Sequence, residues 1–196
     1  MNLLAVTETF ETVQGEGLFL GTPAFFIRLA GCSVACPIRA SCDTDFNARR
    51  LTTSTDLAKE AATSKAEVVV LTGGEPLEQD VVDLTKALRD AGKRLHLETS
   101  GLIAVPSKAV FDWIVVSPKA PAAKLKQDWG NEVKVVYYGQ TDARLVEYEA
   151  LPFAHRWLQP FWRPEEVNVA ETYAVVRRLA PSWRLSIQAH KHWGLP

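Results

Sequence analysis

Val68-Val69-Val70-Leu71-Thr72-Gly73-Gly74-Glu75-Pro76 is an unbroken apolar, β-branched run that stops on two glycines and a proline. Four apolar residues without alternation mark a strand buried on both faces, the habit of a parallel sheet. Residues 80–91 follow with apolar positions at helical spacing, and Gly92 stands where a helix stop is expected. The same alternation recurs on either side of this unit. Runs at 24–29, 95–97, 113–116, 133–137, 156–158 and 184–187 read as strands, and 54–64, 141–150 and 164–179 as helices. The strand runs carry few interior charges, so the sheet is expected beneath helices on both faces. Functional groups in such α/β sheets gather beyond the carboxyl ends of the strands. The segments after each run therefore belong to one site: Ala30-Gly31-Cys32, Thr72 to Pro76, Glu98-Thr99-Ser100-Gly101, Ser117-Pro118-Lys119, Gln159-Pro160 and Gln188-Ala189-His190-Lys191.

Length and composition narrow the class. A chain of 196 residues with no linker or low-complexity stretch is expected to form a single domain over 1–196. Hydrophobic residues at 47% against 23% charged ones exclude a disordered chain. The 22 basic and 23 acidic side chains leave a net charge of −1, without the basic field that a nucleic-acid binder needs. No apolar run is long enough for a membrane span, and residues 1–12 carry acidic groups where a signal peptide needs basic ones. A cytoplasmic protein with no membrane or nucleic-acid partner is the expectation.

Only three cysteines occur, Cys32, Cys36 and Cys42, all within one short segment. An odd, clustered set argues against a disulfide framework and for a ligand set, because so short a loop can bring three sulfurs to one centre. Three readings stay open on the thiols alone. An iron–sulfur cluster held by three cysteines keeps one iron for a small molecule; a structural zinc site needs a fourth ligand, and the nearest histidine in sequence is His96; free cysteines are also ordinary small core residues.

The neighbouring motifs resemble the radical S-adenosylmethionine superfamily: Gly31 before the first cysteine, Cys42-Asp43-Thr44 at the last, and Thr72-Gly73-Gly74-Glu75-Pro76 after the next strand. Within it the chain resembles the 7-carboxy-7-deazaguanine synthase family over nearly its whole length. The likeness is carried by Gln14-Gly15-Glu16-Gly17, Phe26 to Cys32, Glu98 to Gly101, Ser117-Pro118-Lys119, Gly130-Asn131-Glu132-Val133-Lys134, Gln159-Pro160 and the ending His190 to Pro196, all in the family's order.

That resemblance implies a partial, open barrel of about six parallel strands, with a cluster loop at about 32–44. It implies a lyase that converts 6-carboxy-5,6,7,8-tetrahydropterin to 7-carboxy-7-deazaguanine and ammonia, in 7-deazapurine, queuosine-type biosynthesis. The implied cofactors are a 4Fe-4S cluster on Cys32, Cys36 and Cys42, S-adenosylmethionine regenerated each turnover, and Mg2+ on Thr44. Val13, Gln14, Gly15, Arg28, Thr72 and the carboxylate of Pro196 would contact the pterin, with Glu16 and Arg28 in catalytic roles. Arg28 suits a carboxylate because its fork of donors is planar. Gly74, Ser117, Pro118, Lys119 and Gln159 would hold the sulfonium cofactor, Gly73 and Gly74 letting backbone approach the ligand closely. A homodimer and an electron donor such as flavodoxin are implied as partners.

Trp183, Trp193 and Leu195 predict a docked chain end, since dense apolar groups are costly to leave in water. His190 reads either as a pocket contact or as a packed histidine. The family commonly has two residues between its last two cysteines, whereas here five, Pro37 to Ser41, intervene; Phe161 and Trp162 replace a polar pair, and Ser100 an asparagine. Two other classes fit parts of the pattern: a radical activating enzyme acting on a partner protein, and a non-enzymatic zinc-binding module.

Overall fold

The computed structural model describes residues 3–42, 44–162 and 167–196. Its centre is one open nine-stranded sheet in the order β3-β1-β2-β4-β5-β6-β7-β8-β9. These strands are β1 (Leu3–Val13), β2 (Pro23–Leu29), β3 (Arg50–Thr53), β4 (Val68–Gly73), β5 (Arg94–Thr99), β6 (Trp113–Val116), β7 (Gly130–Tyr137), β8 (Phe153–Pro160) and β9 (Arg184–Leu185). From β2 through β9 every neighbouring pair in the sheet is parallel. The six long members of that series match the expected open, partial barrel, and β9 adds two residues at one edge. The sequence reading missed β1 and β3, which pair antiparallel at the other edge. Interspersed Thr and Glu hide β1, although Leu4 and Val6 are buried on alternate positions.

The helices start on chemistry written in the chain. Thr53 caps α1 (Ser54–Thr63) by accepting from the Asp56 amide at 3.1 Å, and Thr141 caps α3 (Asp142–Val146) in the same way. Helix α2 (Val82–Asp90) ends in a Schellman motif: Gly92, with φ of 78°, donates to Arg89, and Lys93 donates to Leu88. Helix α4 (Val169–Leu179) starts later than the predicted 164; residues 164–166 lie outside the described ones. A five-residue helix, α5 (Ala189–Trp193), follows the sheet.

One expectation is corrected. Helices cover a single face of the sheet, not both. Phe25, Ile27, Leu29, Val69, Leu71, Leu95, Leu97, Val133, Val135 and Leu158 pack there with Leu57, Leu84, Leu88, Leu145 and Val175 of the helices. Residues one position away point inward. Near β2 and β4 they are apolar, Ala24, Val68, Val70 and Phe26. Further along they are His96, Glu98, Glu132, Lys134 and Gln159, all of which line cavities or lie buried on that inner face. The strands look apolar because half of each strand is, and the isolated charges within them mark the inner side.

Candidate active site

A cavity of about 250 Å3 opens over the carboxyl ends of the parallel strands. Ten of the predicted residues line it: Glu16, Cys32, Cys36, Cys42, Thr44, Thr72, Gly74, Ser117, Lys119 and Gln159. Asp43, between two of them, lies outside the described residues.

The other predicted residues stand around this cavity but do not line it. Gln14 is buried just beneath; its side-chain amide donates to Glu98 at 3.3 Å and its oxygen accepts from the Glu16 amide. Gly15 lies against His190: a Cβ on Gly15 would sit 2.0 Å from the imidazole Nδ1, so the histidine is packed on the glycine. The Gly15 carbonyl also accepts from the Ala189 amide at the start of α5. Val13 closes β1 opposite Pro23, and Pro118 is buried beside Ser117. Arg28 sits in register with Thr72, but its Nε donates to Glu8 at 2.7 Å and its guanidinium lies over Phe10. Pro196 is exposed. The expected docking of the chain end extends only to Trp183, which is buried; Trp193 and Leu195 are 53% and 42% exposed. Helix α5 buries Ala189 alone, and Gly194 ends it in a left-handed turn.

The cavity floor is a buried network of charges and amides. Lys134, 4% exposed, donates to the Glu16 carboxylate and, at 2.9 Å, to that of Glu98. Glu16 also accepts from Gln159 at 3.1 Å and Gln188 at 2.9 Å. Ser186 donates to Gln159 and so fixes that amide's orientation. Burial alone would raise the pKa of Glu16; the ammonium of Lys134, its hydrogen bond and that of Gln188 overcome this and hold the carboxyl at about 2. Glu98 is pushed above the ordinary carboxyl value, by burial first and then by the charges of Glu16 and Glu132, which Lys134 only partly offsets. Lys134 is raised because its two carboxylates outweigh its own burial. Two acids in one pocket are thus held in different electrostatic states by one base.

The rim carries the thiols. Cys32 and Cys36 are half-buried, Cys42 is exposed, and none forms a disulfide. The five residues between Cys36 and Cys42 contain a 3-10 turn, Arg39–Ser41, in which the Arg39 amide donates to the Cys36 carbonyl and the Arg39 carbonyl accepts from the Cys42 amide. Arg39 ties this turn back to the Cys32 carbonyl and lies 4.9 Å from the Phe46 ring centre. All three thiols line the same cavity. Among the described residues no three His, Cys, Asp or Glu side chains gather closely enough to hold a single metal ion. A four-iron cluster takes each thiolate on a different iron, so three free thiols facing one concavity suit it chemically.

Gly73 and Gly74 have a reason the sequence reading did not supply. Their close approach is to the chain itself: a Cβ on Gly73 would fall 2.2 Å from the Leu29 carbonyl oxygen, and one on Gly74 would fall 2.2 Å from that of Gly31 and 2.5 Å from the Cys32 Cβ. The end of β4 is pressed against the start of the cysteine loop. Gly74→Ala is expected to displace Cys32 and cost about 1–3 kcal/mol; iron content after reconstitution should fall with it, and a variant that binds iron and melts like the parent would refute this.

On the far wall, Lys119 donates to the hydroxyl and carbonyl of Ser117 at 2.6 and 3.1 Å. Burial lowers its pKa, while nearby Cys36 and Cys42 work the other way. A lysine ammonium at this position could meet a ligand carboxylate. Sequence reasoning quoted the segments holding Glu98, Lys134 and Gln188 but gave those residues no task. The signal was present: a lysine inside the run Val133-Lys134-Val135-Val136 must find a carboxylate if the strand is buried.

No protein-family model matches the chain. Full-length relatives do. It is 41% identical to a 7-carboxy-7-deazaguanine synthase of Synechocystis over 97% of this chain and 92% of that one. It is 40% identical to one of Bacteroides thetaiotaomicron, covering 95% of each. The crystal structure of QueE from Escherichia coli superposes with a TM-score of 0.74 at 30% identity, over 96% of this chain and 95% of that one. With open sheet, cysteine rim and charged floor all on one chain, and relatives this similar from end to end, the chain belongs to the 7-carboxy-7-deazaguanine synthase family.

Proposed function

We propose that the cavity converts 6-carboxy-5,6,7,8-tetrahydropterin to 7-carboxy-7-deazaguanine with loss of ammonia. The observation that carries this reading is the presence, in one cavity, of three free thiols at the rim and a floor of carboxylates and amides. The thiols of Cys32, Cys36 and Cys42 suit a 4Fe-4S cluster, Ser117, Lys119, Gly74 and Gln159 suit S-adenosylmethionine, and the Thr44 hydroxyl suits Mg2+, which keeps few protein ligands. When bound, cluster and sulfonium together supply the carbon radical that takes the pterin C6 hydrogen.

The chain's own residues bind, orient and shield. Ionised Glu16 and the amide of Gln14 offer acceptors to the aminopyrimidine edge of a pterin, and Thr72 adds a hydroxyl. Arg28, steadied by Glu8 and Phe10, is the partner for the pterin carboxylate. Val136, Phe161 and Trp162 narrow the apolar side of the cavity and keep water from the reacting carbon. A homodimer, a flavodoxin-type electron donor and a cytoplasmic location belong to the same proposal. Among the described residues no helix is long and apolar enough to cross a membrane.

The test is turnover by anaerobically reconstituted, reduced protein, with the deazapurine followed by mass. Cofactor cleavage without deazapurine would sink the substrate reading. Arg28→Ala should keep its iron yet lose about 10- to 100-fold in kcat/KM, the worth of a hydrogen-bonded charge. Normal turnover by that variant would mean that Arg28 does not meet the substrate.

A further inference from the structure

Resting on the reading of the cavity as a pterin site, we infer that Lys134 is the positioning residue of its floor: its ammonium, bonded to both Glu16 and Glu98, keeps two carboxylates in one buried space at a single net negative charge. The floor is then ready to accept N–H donors from a ligand edge without first taking up a proton.

The geometry of Lys134 suits this role. It projects from β7, 4% exposed, and both its carboxylate partners come from other parts of the chain, Glu16 from the loop after β1 and Glu98 from β5. Three amides donate to the same carboxylates without adding charge: Gln14 to Glu98, and Gln159 and Gln188 to Glu16. Among the described residues, the other charged or titratable groups around this network include Glu132 from the same strand, His96 from β5, Lys119 from the loop after β6, and His190 from α5. Glu132 is occupied by the Trp113 indole and the Leu18 amide, and Lys119 by Ser117. Without Lys134 two carboxylates would confront each other, and one would have to bind a proton.

The probe is 6-carboxypterin, the unreactive oxidised analogue, titrated by its own fluorescence into protein with the cluster reconstituted and, separately, without it. Lys134→Met should bind it about 30-fold more weakly than the parent at about pH 8, the loss expected when a charge-assisted contact is removed. The deficit should shrink severalfold by about pH 5.5, as the carboxylate pair takes up the proton that replaces the missing cation. Comparing variant with parent at each pH cancels the titrations of the ligand and of every group that both proteins share. The double variant Lys134→Met/Glu98→Gln has one carboxylate and the parental net charge, so its affinity should become independent of pH relative to the parent. It also answers the case in which Lys134→Met alone fails to fold.

A deficit that stays constant across pH, or a double variant no better than the single one, would overturn the positioning role and leave the pterin site standing. Failure of the parent itself to bind 6-carboxypterin would overturn the site reading and this inference with it.

Discussion

Cys36→Ala is expected to abolish reductive cleavage of S-adenosylmethionine altogether, with iron content falling well below that of the parent. Cys36 is the middle of the three cysteines in sequence and lines the cavity with half-buried Cys32 and exposed Cys42. The 3-10 turn after it is anchored by the bond from the Arg39 amide to its carbonyl. Three thiolates are the fewest that hold a four-iron cluster with one site open for a ligand. No other cysteine exists in the chain to take its place. Fold is not at stake, because the thiol is outside the buried core, so the variant should melt within about 2 °C of the cluster-free parent, as for changes under about 0.5 kcal/mol. Cofactor cleavage by the alanine variant at the parental rate would remove Cys36 from the cluster.

The second large effect concerns stability. Glu75 is completely buried and its carboxylate accepts from the Thr99 hydroxyl at 2.8 Å, the Ser100 amide at 2.8 Å, the Ser100 hydroxyl and the Leu77 amide at 3.2 Å. It joins the carboxyl ends of β4 and β5, the two strands that bring Gly74 and Glu98 to the cavity. Glu75→Ala strands several buried donors at once, and the cost is expected to be about 3 kcal/mol or more. For a domain of this size that lowers the melting temperature by about 6–12 °C. Glu75→Gln keeps one carbonyl acceptor and should lose less. Thermal melts of the cluster-free proteins separate these outcomes; an alanine variant that melts with the parent would show that the donors find other partners.

Much of this was legible in the chain. The parallel strands could be read because Val68 to Leu71 and its counterparts are apolar without interruption, and the helix starts because Thr53 and Thr141 are capping residues. The rim was legible because three cysteines occur in one segment and nowhere else. What escaped depends on contacts between distant segments. Nothing local in Leu3–Val13, with its interspersed Thr and Glu, says that it pairs on both sides, with β2 and β3, while burying Leu4 and Val6. Nothing in Gly73-Gly74 says that the neighbours pressing on them are the Leu29 and Gly31 carbonyls, the latter 43 residues earlier than Gly74. Lys134 looked like a blemish in an apolar run until the fold set it beside Glu16 and Glu98. For Arg28 and Pro196 the expected roles came from family likeness alone, and neither residue lines the cavity.

The cysteine segment is pinned at its two ends. Gly31 donates its amide to the Phe46 carbonyl, and its own carbonyl receives the Glu75 amide. A peptide closed at its base in this way can change length at small entropic cost, about 0.6 kcal/mol even for a doubling. Three extra residues between the last two cysteines, compared with the common family spacing, are therefore nearly free thermodynamically. Evolution can remodel the cysteine segment, and with it access from outside, while the charged floor beneath keeps its register.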